Sequence, residues 1–231
     1  MIPLRDDNST ARTPVVTRSF VGLCVLVFLW QMTLGPQGGQ LAVYSLGVIP
    51  AVLLGREALP PDLAVVAPPF TVLTSMFMHG GFMHLLGNML YLWIFGDNVE
   101  DSIGRVRFVA FYLLCGVAAV FAQALPEPDS TIPMIGASGA ISGVLGAYLL
   151  LFPHARVLVA IPLGFVLQTV RLPAGAVLAL WFVLQLASNL FASGQGGVAF
   201  RAHIGGFVAG MLLIPLFKRK DVPLRRPWGG R

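Results

Sequence analysis

Met134-Ile-Gly-Ala-Ser138-Gly-Ala-Ile-Ser-Gly-Val-Leu-Gly146 opens an apolar run that continues to Phe152. The run is about long enough to cross a bilayer. Ser138 stands near its start, between Gly136 and Gly139. A serine among small residues at the mouth of a membrane helix has two readings. One is close helix packing, because small residues let backbones approach. The other is a nucleophile at a helix N-terminus, where backbone N–H groups can meet a developing oxyanion. On this stretch alone packing is the simpler reading, and the rest of the chain has to decide.

Composition sets the medium. The chain has 231 residues, of which 56% are hydrophobic and 11% charged, against about 25% charged in a soluble domain. That is the composition of an integral membrane protein. The net charge of +5 does not point to nucleic acid, because the basic residues lie between apolar runs and at the ends, with no interleaved aromatic patch for base stacking. Cys24 and Cys115 fall inside apolar runs without a CxxC pattern, so they read as buried thiols. No cofactor and no metal are expected. The first ~18 residues are polar, a longer lead than a cleaved secretory signal has, so the first apolar run reads as a retained span.

Taken in order, the chain divides into a polar N-terminus over 1–18, a membrane domain over 19–217 and a basic tail over 218–231. Six spans are expected, at about 19–35, 77–96, 107–125, 134–152, 172–192 and 202–217. The segment 37–69 is broken by Gly47, Pro50, Gly55 and Pro60-Pro61, and reads as an interfacial, partly helical loop. The piece 157–170 is apolar but short, carries Pro162 and Gly164, and is also expected at the interface. The fold class is therefore an all-α membrane bundle of six helices. Six spans put both termini on one side. With that side cytoplasmic, Arg56 and Arg201 alone among the 15 Lys and Arg residues fall on the opposite side, a clear positive-inside pattern.

Polar residues inside membrane runs are costly and are functional hypotheses by default. Ser138 begins span four, His203 begins span six, and His84 and Asn88 lie four apart near the start of span two. Spans two, four and six run in one direction, so these four groups share a shallow depth below the outer surface. Gly139, Gly143 and Gly146 on span four face a partner that offers Gly205, Gly206 and Gly210. Two such faces can pack closely enough to bring a serine hydroxyl to an imidazole, as a nucleophile and its general base require. No Asp or Glu occurs between Asp129 and Asp221. Asp129 could serve as a third, orienting member only if its loop folded inward, so a dyad of Ser138 and His203 is the economical reading. His84 and Asn88 are then candidate oxyanion donors, while His79 is expected to order its loop.

Together these pieces resemble the rhomboid family of intramembrane serine proteases. The matching motifs are His79-Gly-Gly-Phe-Met-His84-Leu-Leu-Gly-Asn88, the Gly96, Glu100 and Gly104 pattern, Gly136-Ala-Ser138-Gly139, and Ala202-His203-Ile-Gly-Gly-Phe-Val-Ala-Gly210. They cover about residues 70–217. The resemblance implies a Ser138 nucleophile, a His203 base, an oxyanion-stabilising pair of His84 and Asn88, and a structural loop at Glu100 and Gly104. It implies single-span membrane proteins as substrates and partners, with the fifth span and the loop Ala192 to Arg201 as gate and cap. Two departures stand out. Residues 37–69 hold no Trp, where many members carry a Trp-Arg pair. Ser142 stands where many carry an aromatic beneath the histidine ring. A bacterial cytoplasmic membrane, with both termini in the cytoplasm, is the expected location, and anionic lipid is a further expected partner of the basic tail. Two rival readings are a non-catalytic relative that binds membrane helices and a small transporter.

Overall fold

The computed structural model describes residues 1–163, 166–191 and 199–225. Nine α-helices are described: α1 (Val15–Thr33), α2 (Gly35–Leu46), α3 (Pro50–Leu53), α4 (Pro68–Thr74), α5 (Phe82–Ile103), α6 (Arg105–Ala124), α7 (Ser138–Leu151), α8 (Ala174–Phe191) and α9 (Phe200–Phe217). Three strands, β1 (Ile2–Asp6), β2 (Arg156–Leu163) and β3 (Val166–Pro173), form one antiparallel sheet in that order. The fold is thus mostly helical rather than all-α. Helices occupy each of the six expected spans, with shifted ends: α5 starts at Phe82 and runs on to Ile103, and α7 starts at Ser138 itself.

Three of these helices, α1, α6 and α9, are long and apolar enough to cross a membrane by themselves. α7 and the described part of α8 are apolar but shorter. α5 is long but carries Asp97, Glu100 and Asp101 near its end. Outward faces are greasy: Val106 and Leu216 are 85% and 78% exposed, as side chains facing lipid can be.

The centre of the bundle is α7, packed between α5, α6 and α9. Its glycines decide how. The Gly206 and Gly210 Cα atoms lie against the backbone carbonyls of Gly139 and Gly143, and Gly146 lies against the carbonyl of Phe207, so that no Cβ fits at any of the three. In lipid there is no hydrophobic drive between helices, and close van der Waals packing of this kind replaces it. Around the seam, Phe95, Phe108, Phe111, Tyr112, Tyr148 and Phe207 are fully buried.

The segment expected as an interfacial loop holds α2 and α3. Pro36, Pro50 and Pro68 sit in the first turns of α2, α3 and α4, where a missing N–H costs nothing. The piece 157–170 is corrected to a hairpin. Its register runs from Arg156 opposite Pro173 to Leu163 opposite Val166. β1 then adds to its free edge, pairing Ile2 with Ala160 and Asp6 with Val157 across a bulge between Pro3 and Arg5. The N-terminal stretch is therefore docked structure. Val157 and Val159 are fully buried beneath it.

Two buried polar sites fasten this end of the bundle. The Glu100 carboxylate accepts the backbone N–H groups of Val16 and Thr17, at 3.0 and 2.7 Å, and the Thr17 hydroxyl at 2.8 Å. It caps the first turn of α1, which has no cap of its own. Gly104, at φ +88°, then makes the turn from α5 into α6 that few side chains tolerate. Nearby, the Asp6 carboxylate accepts from the Tyr148 hydroxyl and from the Asn98 amide. Burial, with smaller contributions from Asp97 and Asp7, outweighs the Tyr148 hydrogen bond and lifts the Asp6 pKa from 3.8 to about 7.

Two expectations follow. Gly210→Ala should destabilise the protein by about 1–3 kcal/mol through overpacking. Gly22→Ala, where the space beside the helix is open, should be neutral or stabilising by up to about 1 kcal/mol. Thermal unfolding in detergent checks both. Because the folded pKa of Asp6 is raised, its contribution is full below about pH 4 and is lost as pH rises through about 7. Asp6→Asn, which keeps the acceptor but cannot ionise, should therefore match wild type below about pH 4 and exceed its melting temperature at pH 8.

Candidate functional site

Ser138 is the first residue of α7, His203 stands in the first turn of α9, and His84 and Asn88 lie in the first two turns of α5. The Gly139–Gly206 approach sets α7 and α9 one backbone apart just beneath the serine. The result is a contact of 2.8 Å between Ser138 Oγ and His203 Nε2.

The loop entering α7 is held on both sides. Met134 and Val48 exchange backbone hydrogen bonds at 2.7 and 3.0 Å, and the Gly136 N–H donates to the Ser75 carbonyl at 2.9 Å. Gly136 has φ +132°, and a Cβ there would fall 2.9 Å from His84 Nε2 and 3.6 Å from Ser138 Oγ. The imidazole and the hydroxyl therefore flank one small volume that only glycine leaves open. The first N–H groups of α7, Ser138's among them, have no acceptor within their own helix.

His84 Nδ1 faces the Gly80 N–H at 3.5 Å, a long contact. An accepting Nδ1 makes Nε2 the protonated nitrogen, a donor toward the same volume. Asn88 lies one helical turn on and is buried, and its Nδ2 has no partner among the described residues. A buried amide donor without an acceptor is costly and suits a guest that brings one. His79 is buried, its ring 5.3 Å from that of His84. Its backbone is clamped by Gln31 of α1, whose amide both accepts from the His79 N–H at 3.0 Å and donates to its carbonyl at 3.2 Å.

Asp129 does not join the site: it pairs with Arg56 at 2.6 Å on the exposed surface. The second ring nitrogen of His203, Nδ1, instead meets Gln185 Oε1 of α8 at 2.7 Å. Sequence reasoning missed Gln185 and Gln31. The available signal was the rule already applied to the histidines, that a polar residue inside an apolar helix has a reason. The aromatic absent at Ser142 is supplied from elsewhere. Trp181 of α8 lies 6.1 Å from the His203 ring and Phe200 6.5 Å, while the Ser142 hydroxyl donates to the Ser138 carbonyl at 2.6 Å. The expected cap, Ala192 to Arg201, lies outside the described residues over 192–198.

A cavity of about 40 Å³ borders Ser138, Gly136, Ser75 and Ala202, room enough for water. A larger cavity, about 430 Å³, opens at the far end of α5 between Arg12 and Arg107, and neither serine nor histidine lines it.

Residues 68–220 match the rhomboid domain. The chain is 35% identical over 153 residues to Rhomboid protein 1, mitochondrial, of Saccharomyces cerevisiae, covering 64% of this chain and 41% of that protein. It is 32% identical over 161 residues to Presenilin-associated rhomboid-like protein A, mitochondrial, of Danio rerio, covering 67% and 40%. It is 34% identical over 136 residues to Rhomboid protease GluP of Bacillus subtilis, covering 59% and 24%. The alignments thus span about two fifths of these relatives' length or less. The rhomboid match takes in well over half of the chain, and with the apolar helices that carry it, this is a membrane protein of the rhomboid family.

Proposed function

We propose that this chain is an intramembrane serine endopeptidase that cleaves single-span membrane proteins in or near the bilayer with a Ser138–His203 dyad. The carrying observation is the 2.8 Å contact between Ser138 Oγ and His203 Nε2. A relative named as a protease, of which the chain matches a part, supports the reaction class.

His203 Nε2 takes the hydroxyl proton as Ser138 Oγ attacks the scissile carbonyl carbon. The resulting oxyanion receives hydrogen bonds from the Ser138 N–H, His84 Nε2 and Asn88 Nδ2. Collapse breaks the C–N bond, and the proton on Nε2 passes to the leaving amine. Water then attacks the acyl ester and gives a proton to Nε2; the bond between the acyl carbon and Ser138 Oγ breaks, and that proton passes to Oγ to restore the hydroxyl. A helical peptide bond hides its carbonyl carbon, so the substrate must unwind locally before Oγ can reach it.

In the membrane we place six spans, α1 and α5 to α9, with both termini in the cytoplasm. The distribution of Lys and Arg supports this orientation, and the site then opens to the outer face. A bacterial cytoplasmic membrane is the proposed location, on the Ala-, Gly- and Leu-rich composition. The relatives include a Bacillus protein and two whose names carry the word mitochondrial.

The test is cleavage of a panel of single-span substrates by purified, reconstituted protein. Ser138→Ala and His203→Asn should abolish cleavage while leaving the fold intact by thermal unfolding. Asn88→Ala should lower kcat by about 10²–10³-fold, as for other oxyanion donors. Cleavage that persists in Ser138→Ala, or a wild type that neither cleaves any substrate nor reacts with a fluorophosphonate, sinks the reading.

A further inference from the structure

A general base works only in one tautomer. For His203 Nε2 to accept the Ser138 proton, the neutral ring must carry its hydrogen on Nδ1. That hydrogen needs an acceptor, and no carboxylate among the described residues hydrogen-bonds to the ring. Gln185 Oε1 lies 2.7 Å from Nδ1, a normal hydrogen-bond length.

We propose that Gln185 is the positioning residue of this site: its side-chain carbonyl accepts the Nδ1 proton of His203 and so holds the ring in the tautomer that can deprotonate Ser138. The proposal rests on the endopeptidase reading for its consequence, but its geometry stands apart from it. The opposite amide orientation would donate to Nδ1, place the hydrogen on Nε2, and leave Ser138 facing a nitrogen with no lone pair to offer. The carbonyl-inward orientation is therefore the one consistent with a base.

The side chain is brought there by a matched pair of helical steps. Trp181 and Gln185 lie four apart on α8, and His203 and Phe207 lie four apart on α9. Residues at that spacing share a face. Trp181 stacks on Phe207 with centroids 5.9 Å apart, and Phe182 stacks on the same ring at 4.6 Å. Trp181 also covers His203 at an interplanar angle of 36°. The aromatic step fixes where α8 meets α9, and one turn on, the amide meets the imidazole. Gln185 and Trp181 together do from α8 what an acidic third member and an aromatic on α7 would do.

When the ring becomes imidazolium in the transition state, the Nδ1–H bond to a neutral carbonyl strengthens. Its loss should be felt in kcat and not in substrate binding.

The experiment compares reconstituted wild type, Gln185→Leu and Gln185→Glu. Leu keeps the bulk and removes the acceptor, whereas Glu restores an acceptor oxygen. Gln185→Leu should lower kcat about 10- to 100-fold, the size of a hydrogen bond to a group that becomes charged. KM should stay within about twofold. Gln185→Glu should recover most of the loss. The second readout needs no turnover: 15N NMR of ring-labelled His203, assigned by its loss in His203→Asn. Wild type should show a protonated Nδ1 and an unprotonated Nε2, and Gln185→Leu should show a mixture. An unchanged tautomer with kcat within twofold of wild type in Gln185→Leu would overturn the proposal. If Gln185→Leu does not fold, Gln185→Met takes its place under the same criteria. If wild type cleaves nothing, the endopeptidase reading falls, while the NMR still decides whether Gln185 sets the tautomer.

Discussion

The approach of α7 and α9 at backbone distance is the constraint on which the rest of the molecule depends. Gly139 and Gly143 on α7, and Gly206 and Gly210 on α9, leave no side chain in the seam, so the two helices touch carbonyl to Cα. A hydroxymethyl group is the shortest polar side chain available. It can meet an imidazole from a neighbouring helix only where the axes are this near. The serine at the head of one helix and the histidine at the head of the other are in contact because of what lies one turn below them.

The polar side chains buried around this seam do two kinds of work. Glu100 supplies the cap that α1 lacks, and Gln31 holds the loop carrying His79 to α1. These fasten elements to one another, and their hydrogen-bonding capacity is used within the protein. Asn88 and the outward nitrogen of His84 differ: the Asn88 Nδ2 is buried without a partner among the described residues, and His84 Nε2 borders the volume beside Gly136. A membrane interior makes an unmet donor more costly than water does.

Much of this was legible in the chain itself. The meeting of Ser138 with His203 could be read because glycines recur at helical spacing beneath both and because polar residues in apolar runs are few. The positions of the six long helices followed from hydropathy, although their ends moved by several residues: the loop 134–137, for example, is as apolar as the helix it precedes. The sheet was not legible. Ile2 to Asp6 is five residues with two charges, and its partner strand lies about 150 residues away, so nothing local announces the pairing. Arg156 to Pro173 is apolar on both sides of its centre and shows no clean alternation, and a short apolar run does not reveal its period. Gln185 escaped for another reason. A single amide in a greasy helix looks the same whether it serves a histidine or simply sits near the headgroups, and only the placement of α8 against Phe207 distinguishes the two.

The pairing of β1 with β2 also orders events in time. β1 is synthesised well before the edge it needs, which belongs to residues 156–163. At about 5–20 residues per second, the ribosome delivers that edge roughly 8–30 s later. By the end of that interval α1, α5, α6 and α7 have been made, and until then the first strand has no ladder to join. The sheet is therefore a clasp that can close only once the hairpin has followed α1, α5, α6 and α7 out of the ribosome, and it can do so while α8 and α9 are still to come. Because β3 runs straight into α8 at Ala174, closing that clasp also seats the helix whose amide faces His203.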